Sequence, residues 1–115
     1  MLVGALAAFL GVALGAFGAH GLRSRITPEM LNIFEVGVRY QMYHSIAILI
    51  VALARARFGG TLTAAAGWLF TAGIVFFSGS LYALALTGTT ILGAITPIGG
   101  VLFLLGWACL AYAAI

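Results

Sequence analysis

Tyr40, Gln41 and His44 place a phenol, an amide and an imidazole within five positions of an apolar segment. Residues three and four positions apart meet on a helix surface, so these side chains come together if the segment is helical. An imidazole can act as an acid or a base, and an ionisable group held in apolar surroundings is costly enough to indicate function. His44 is therefore the main candidate for chemistry in this chain.

Two neighbouring charges extend this candidate site. Glu35 and Arg39 are four residues apart, in the order that favours an ion pair on a helix. Arg39 could hold an anionic headgroup, or its guanidinium could extend to water beside Glu35 while the aliphatic stem lies along apolar surface. Both interpretations remain open from the sequence.

The chain lacks the residues of the common catalytic and metal sites. It contains no Asp, which excludes a Ser/His/Asp triad, and its single cysteine, Cys109, excludes a CxxC motif. His20 and His44 could together ligate a metal ion or a haem iron, but no spacing motif supports this. We expect no metal and no cofactor, and we favour a non-enzymatic role.

The composition indicates lipid as the main solvent. Hydrophobic residues make up 64% of the chain and charged residues 6%, and every charge lies between Arg23 and Arg57. A soluble domain carries about 25% charged residues. The arginines lie beside apolar runs and form no continuous basic stripe, so we expect the bilayer as a partner and no nucleic acid.

Four apolar segments of the chain are long enough to cross a bilayer. A crossing helix needs about 20 residues, and continuous apolar runs without alternation exclude a β-barrel. The sequence predicts one domain, 1–115, that is an all-α integral membrane protein with a four-transmembrane-helix up-and-down bundle. The predicted helices are 2–19, 28–54, 63–87 and 91–115.

Small residues recur on the first and fourth predicted helices. Ala7, Gly11 and Gly15 are spaced by four, and Gly99 and Gly106 by seven. Such faces let helix backbones approach closely in lipid, where packing replaces the hydrophobic drive. We expect both faces to pack against neighbouring helices.

The up-and-down order brings most polar residues to one membrane face. Arg39 and Arg55 are sixteen residues, or about 24 Å, apart along the second helix and mark the two faces of the apolar slab. The expected binding cluster lies on the Arg39 side and comprises His20, Glu35, Arg39, Tyr40, Gln41, His44, Ser78, Ser80, Tyr82 and Thr96. An even number of spans puts both termini on the other side, which we expect to be cytoplasmic.

Structural roles compete with functional ones within this cluster. A neutral His44 could bond to Tyr82 or Ser78 and fix helix packing, and the tyrosines could be interface aromatics. The sequence alone does not decide between these roles.

Several ordered motifs resemble one known family. They are Gly15-Ala16-Phe17-Gly18-Ala19-His20, Tyr40-Gln41 followed by His44, Phe77-Ser78-Gly79-Ser80-Leu81-Tyr82, Thr96-Pro97-Ile98-Gly99-Gly100 and Gly106-Trp107. Together they closely resemble the small bacterial membrane proteins grouped as domain of unknown function 423, whose eukaryotic relative is transmembrane protein 256. The resemblance implies a four-helix protein of the bacterial plasma membrane with uncharacterised activity, and it supplies no catalytic residues.

Three functions are compatible with these features. The first is a membrane protein whose polar end binds a ligand, a lipid headgroup or a partner protein. The second is a subunit of an oligomeric channel or transporter for small solutes, which requires homo-oligomerisation because one protomer has little room for a path. The third is a membrane enzyme that uses His44 or His20 as acid or base, with Arg39 holding the headgroup.

Overall fold

The computed structural model describes all 115 residues and contains four helices long and apolar enough to cross a membrane. Helix 1 is Leu2–Leu22, helix 2 is Pro28–Phe58, helix 3 is Thr61–Thr87 and helix 4 is Thr90–Ala113. No strand is present. The predicted all-α membrane fold is confirmed.

Local sequence signals explain both ends of helix 2. The Met30 amide donates to Thr27 Oγ1 at 3.2 Å, and Pro28 occupies the first turn, where no amide hydrogen is needed. The helix continues to Phe58 instead of 54, because Gly59 and Gly60 are the first residues with positive φ, at 69° and 91°. Only glycine adopts such a turn without strain, so it ends helix 2 and begins helix 3 at Thr61.

Two helices contain wide π-helical turns, which the sequence did not predict. Helix 1 continues past residue 19 through such a turn at Gly18–Leu22, and helix 3 contains one at Ile74–Ser78. Each turn inserts an extra residue and changes the direction of the side chains that follow it.

Helix 4 begins differently from its predicted form. A short 3₁₀ turn at Thr90–Ala94 precedes the regular segment Thr96–Ala113, which ends two residues before the chain does. Pro97 lies at the start of that regular segment, so it begins the α-helix and does not kink it.

The helices pack in chain order, and the bundle is flattened. Helix 1 packs almost entirely on helix 2. Helix 2 also packs on helix 3, and helix 3 also packs on helix 4. The principal extents are 47 × 26 × 16 Å. Helices 2 and 3 therefore form the centre of the bundle. Helices 1 and 4 flank this centre and form no packed interface with each other.

Glycines on helix 1 set its distance from helix 2. A Cβ at Gly11 would lie 2.5 Å from the Met42 sulfur, and one at Gly18 would lie 3.0 Å from the Phe34 ring. The small face expected on helix 1 therefore packs closely, as glycine faces do in lipid.

The small face of helix 4 packs on helix 3 in the same way. A Cβ at Gly106 would lie 2.6 Å from the Phe70 ring, and one at Gly99 would overlap the Phe77 backbone. The contact at Gly99 lies beside the π turn of helix 3, which is where the two backbones come closest.

The two ends of the bundle differ in polarity. One end, here called the polar end, holds the turns 23–27 and 88–89. The other, here called the arginine end, holds Arg55, Arg57, the Gly59–Gly60 turn and both chain termini.

Candidate functional site

Gln41 joins three helices through its side chain. Gln41 Nε2 donates to the Ala7 carbonyl of helix 1 at 2.8 Å, and Gln41 Oε1 accepts from the Tyr82 hydroxyl of helix 3 at 2.6 Å. The residue is only 4% exposed. Gln41 therefore acts as a buried connector between helices, and both its amide nitrogen and its amide oxygen have a partner within the protein.

Two buried serines use backbone carbonyls of helix 2. Ser78, in the π turn of helix 3, donates to the Gly37 carbonyl at 2.6 Å, and Ser45 donates to the Gln41 carbonyl at 2.5 Å. A glycine at 37 allows helix 3 to approach, since a Cβ there would lie 2.8 Å from the Tyr82 ring. Ser78 thus ties helix 3 to helix 2 at a point where the two helices approach closely.

Ser80 and Thr96 connect helix 3 to the beginning of helix 4. Their hydroxyl oxygens are 2.6 Å apart, and Ser80 Oγ also lies 2.9 Å from the Phe77 carbonyl. A carbonyl can only accept, so Ser80 donates to Phe77 and Thr96 donates to Ser80. This pair is also satisfied within the protein.

The partners of His44 differ from those suggested by the sequence. His44 Nδ1 lies 2.8 Å from the Tyr40 carbonyl, and the Trp107 indole N–H donates to His44 Nε2 at 3.1 Å. The suggested bonds to Tyr82 or Ser78 are wrong. Those two side chains lie about one turn nearer the polar end, where they meet Gln41 and Gly37.

The two bonds define the protonation state of His44. The Tyr40 carbonyl requires a proton on Nδ1, and the Trp107 N–H requires a lone pair on Nε2. The ring is therefore a neutral imidazole with hydrogen on Nδ1. Both nitrogens are occupied, so His44 could transfer a proton through Nε2 only after Trp107 moved away.

Aromatic rings surround His44. Its ring stacks on Phe103 with centroids 3.5 Å apart and planes at 4°, and the Phe70 centroid lies 5.5 Å away. Trp107 meets Phe70 edge to face at 4.9 Å. His44 thus lies in an aromatic cluster formed by helices 2, 3 and 4.

One side of this cluster opens as a groove between helices 2 and 4. The helix 2–helix 4 groove has a volume of about 490 Å³. Its lining is formed by Tyr40, His44, Phe77, Pro97, Gly100, Val101, Phe103, Leu104 and Trp107. It is almost entirely apolar, and no protein side chain fills the space beside Gly100.

The remaining predicted site residues do not join the cluster. Glu35 and Arg39 are both exposed on helix 2, with no ion pair between them, and His20 is exposed in the π turn of helix 1. No three histidine, cysteine or carboxylate side chains come together. The residues expected to form one site thus divide into a buried network, an aromatic groove and separate exposed charges.

The sequence reasoning missed Trp107 and the phenylalanines of the groove. Trp107 lies eleven positions after Thr96, or about 16 Å into the span. Tryptophan is enriched at membrane interfaces, where its N–H meets water, so an indole at this depth needs a protein acceptor. That depth was the available signal for a His44–Trp107 pair.

Comparisons with known proteins agree on the family. A family model described as "Protein of unknown function (DUF423)" matches residues 14–100. The UPF0382 membrane protein YwdK of Bacillus subtilis (strain 168) is 47% identical over 116 residues, covering 100% of this chain and 94% of the relative. A UPF0382 membrane protein of Staphylococcus epidermidis (strain ATCC 12228 / FDA PCI 1200) is 51% identical, covering 98% of this chain and 92% of the relative.

No solved structure matches the chain. The relatives are named membrane proteins, and the four apolar helices of this chain agree with a multi-pass location in the bacterial plasma membrane. The family resemblance and the location are thereby confirmed: the chain belongs to the DUF423 family of small bacterial membrane proteins.

Proposed function

We propose that this protein is a non-enzymatic lipid-binding protein whose helix 2–helix 4 groove holds one hydrocarbon chain of a glycerophospholipid. The observation that carries the proposal is the groove itself, which is apolar, open at the surface of the bundle and unfilled by the protein. Its volume of about 490 Å³ falls in the range of about 300–1,000 Å³ that is usual for small-molecule sites.

The depth of the groove suits one leaflet of the bilayer. On helix 4 its lining runs from Pro97 to Trp107, which is ten positions or about 15 Å. Half of a hydrocarbon core of about 30 Å is also about 15 Å. A chain entering from the polar end would therefore end near Trp107, close to the middle of the membrane.

The mouth of the groove offers groups that suit the polar part of such a lipid. Tyr40 lines the groove at 37% exposure, and its hydroxyl makes no hydrogen bond within the protein. Arg39 does not line the groove, but it is the preceding residue, exposed and one position nearer the polar end. A glycerophospholipid carries an ester carbonyl between its chain and its phosphate, so Tyr40 can donate to the carbonyl while Arg39 neutralises the phosphate.

The state of His44 supports binding over acid-base catalysis. Both ring nitrogens are occupied, and the bond to Nε2 holds Trp107 as a wall of the groove. Gln41, Ser78, Ser80 and Tyr82 likewise use their polar atoms to join helices. In this proposal the polar residues shape and stabilise the binding groove.

Filling the groove tests the proposal. Gly100 lies in the groove and Gly79 lies outside it, and both are helical glycines with open space where a Cβ would be. The assay is quenching of Trp107 fluorescence by phospholipids with brominated chains, in a Trp68→Phe background so that Trp107 is the only indole. We expect Gly100→Leu to remove most of the quenching and Gly79→Leu to retain it.

The polar contact has its own test. Tyr40→Phe keeps the ring and removes the hydroxyl, so it should weaken retention of glycerophospholipid in native mass spectrometry about fivefold, the loss of about one hydrogen bond. Equal quenching in the Gly100→Leu and Gly79→Leu proteins would refute the proposal. An unchanged lipid affinity in Tyr40→Phe would remove Tyr40 from it.

A further inference from the structure

We propose a second lipid site at the arginine end, which selects an anionic glycerophospholipid through Arg55. A cavity of about 190 Å³ lies there between helices 1, 2 and 3, with Arg55 among its lining residues. The rest of the lining is mainly apolar and includes Ala52, Ala64, Gly67 and Trp68. This site is separate from the helix 2–helix 4 groove and does not depend on the function proposed above.

The charges of the chain leave Arg55 without an internal partner. Both glutamates, Glu29 and Glu35, belong to the other half of helix 2. Glu35 precedes Arg55 by twenty positions, or about 30 Å along the helix. No acidic side chain therefore lies at the arginine end, and Arg55 forms no ion pair within the protein.

Arg57, the other arginine at this end, is engaged differently. Its guanidinium carbon lies 5.4 Å from the centroid of the Phe58 ring, and Arg57 does not line the cavity. Arg55 is exposed and borders the cavity. The two residues carry equal charge at the same membrane face, so they form a matched pair for experiment.

The combination of a guanidinium and an apolar cavity defines the ligand class. A guanidinium binds phosphate through charge-assisted hydrogen bonds, and the cavity beside Ala52, Ala64 and Gly67 accepts part of an acyl chain. Basic pockets between transmembrane helices are known sites for anionic headgroups. A zwitterionic lipid also has a phosphate, but its ammonium group would find no acidic side chain in the cavity lining, so the site favours a lipid with net negative charge.

Trp68 provides a local reporter of this site. It lines the cavity and is 70% exposed, and Trp107 is the only other indole in the chain. The experiment uses the full-length protein with Trp107→Phe in every sample, reconstituted in nanodiscs. Trp68 quenching is compared for phosphatidylglycerol and phosphatidylcholine that carry the same brominated chains.

We expect phosphatidylglycerol to reach half-maximal quenching at about one fifth of the mole fraction that phosphatidylcholine requires, since one arginine at an anionic surface contributes about this factor. Arg55→Gln should abolish the preference, and Arg57→Gln should retain most of it. Equal losses in the two variants would show general surface attraction and overturn the proposal.

Three further measurements test the acyl cavity, the source of the phosphate and the separation of this site from the groove. Ala64→Leu, or Ala52→Leu if the first variant does not fold, should fill the cavity and reduce quenching by phosphatidylglycerol although Arg55 is intact. Unchanged quenching would overturn the site. Millimolar inorganic phosphate should not compete, and full competition would identify a site for a soluble anion and overturn lipid selection. Gly100→Leu should leave Trp68 quenching unchanged, which separates this site from the groove.

Discussion

Gln41→Leu is expected to loosen three helices at once. Leucine is close in size to glutamine and suits the surroundings, but it removes the donor to the Ala7 carbonyl and the acceptor for the Tyr82 hydroxyl. Because Gln41 is 4% exposed, water cannot replace either partner. The substitution therefore tests whether these two bonds stabilise the bundle.

The size of the effect follows from the two interhelical bonds. Such bonds in membrane proteins contribute about 0.6 kcal/mol on average and about 1.7 kcal/mol at most. Two bonds give about 1–3 kcal/mol, and the Tyr82 hydroxyl also loses its partner. We expect Gln41→Leu to lower the free energy of unfolding by about 1–3 kcal/mol.

A double-mutant cycle with Tyr82→Phe isolates the shared bond. Unfolding is followed by circular dichroism as sodium dodecyl sulfate replaces a mild detergent, for wild type, both single variants and the double variant. The coupling between Gln41 and Tyr82 should be about 0.6–1.7 kcal/mol, because the 2.6 Å bond is lost only once in the double variant. Zero coupling, or a Gln41→Leu protein as stable as wild type, would refute the reasoning.

Three further substitutions test other contacts. Gly99→Val places a side chain on the Phe77 backbone and should cost about 1–3 kcal/mol by overpacking, measured by the same unfolding assay, with Gly79→Val as the open control. His44→Phe keeps an aromatic ring against Phe103 but removes the acceptor for Trp107, so Trp107 emission should shift and stability should fall by about 1 kcal/mol. Gly59→Ala should cost about 1–3 kcal/mol of unfolding free energy, because φ is 69° and ψ is −154° at that position.

The features that the sequence predicted are those governed by solvent and spacing. Apolar runs indicated four spans because a segment that crosses lipid must be apolar and helical. Regularly spaced glycines indicated close helix packing because a glycine lacks a side chain whatever the fold, as at Gly11, Gly15, Gly99 and Gly106. The family followed from ordered motifs, and the matching family model confirmed it.

The features that it did not predict depend on how helices are rotated and offset against one another. His44 meets Trp107 because helix 4 lies beside helix 2 at that level, a relation between residues 63 positions apart that no local pattern encodes. The π turn at Ile74–Ser78 rotates the later half of helix 3 and directs Ser78 to helix 2. Helical spacing alone therefore grouped the polar residues near one another but did not assign their partners.

The packing of each outer helix on its sequence neighbour has a consequence for biogenesis. Helix 1 packs on helix 2 and helix 4 on helix 3, so the chain consists of two helical hairpins joined at Gly59–Gly60. The first hairpin can form its glycine contacts and the bond from Gln41 to Ala7 while the second is still in the ribosome. Each hairpin can thus leave the translocon as a packed pair, and assembly then requires helix 2 to meet helix 3, where Ser78 and Tyr82 find their acceptors, and helix 4, where Trp107 donates to His44.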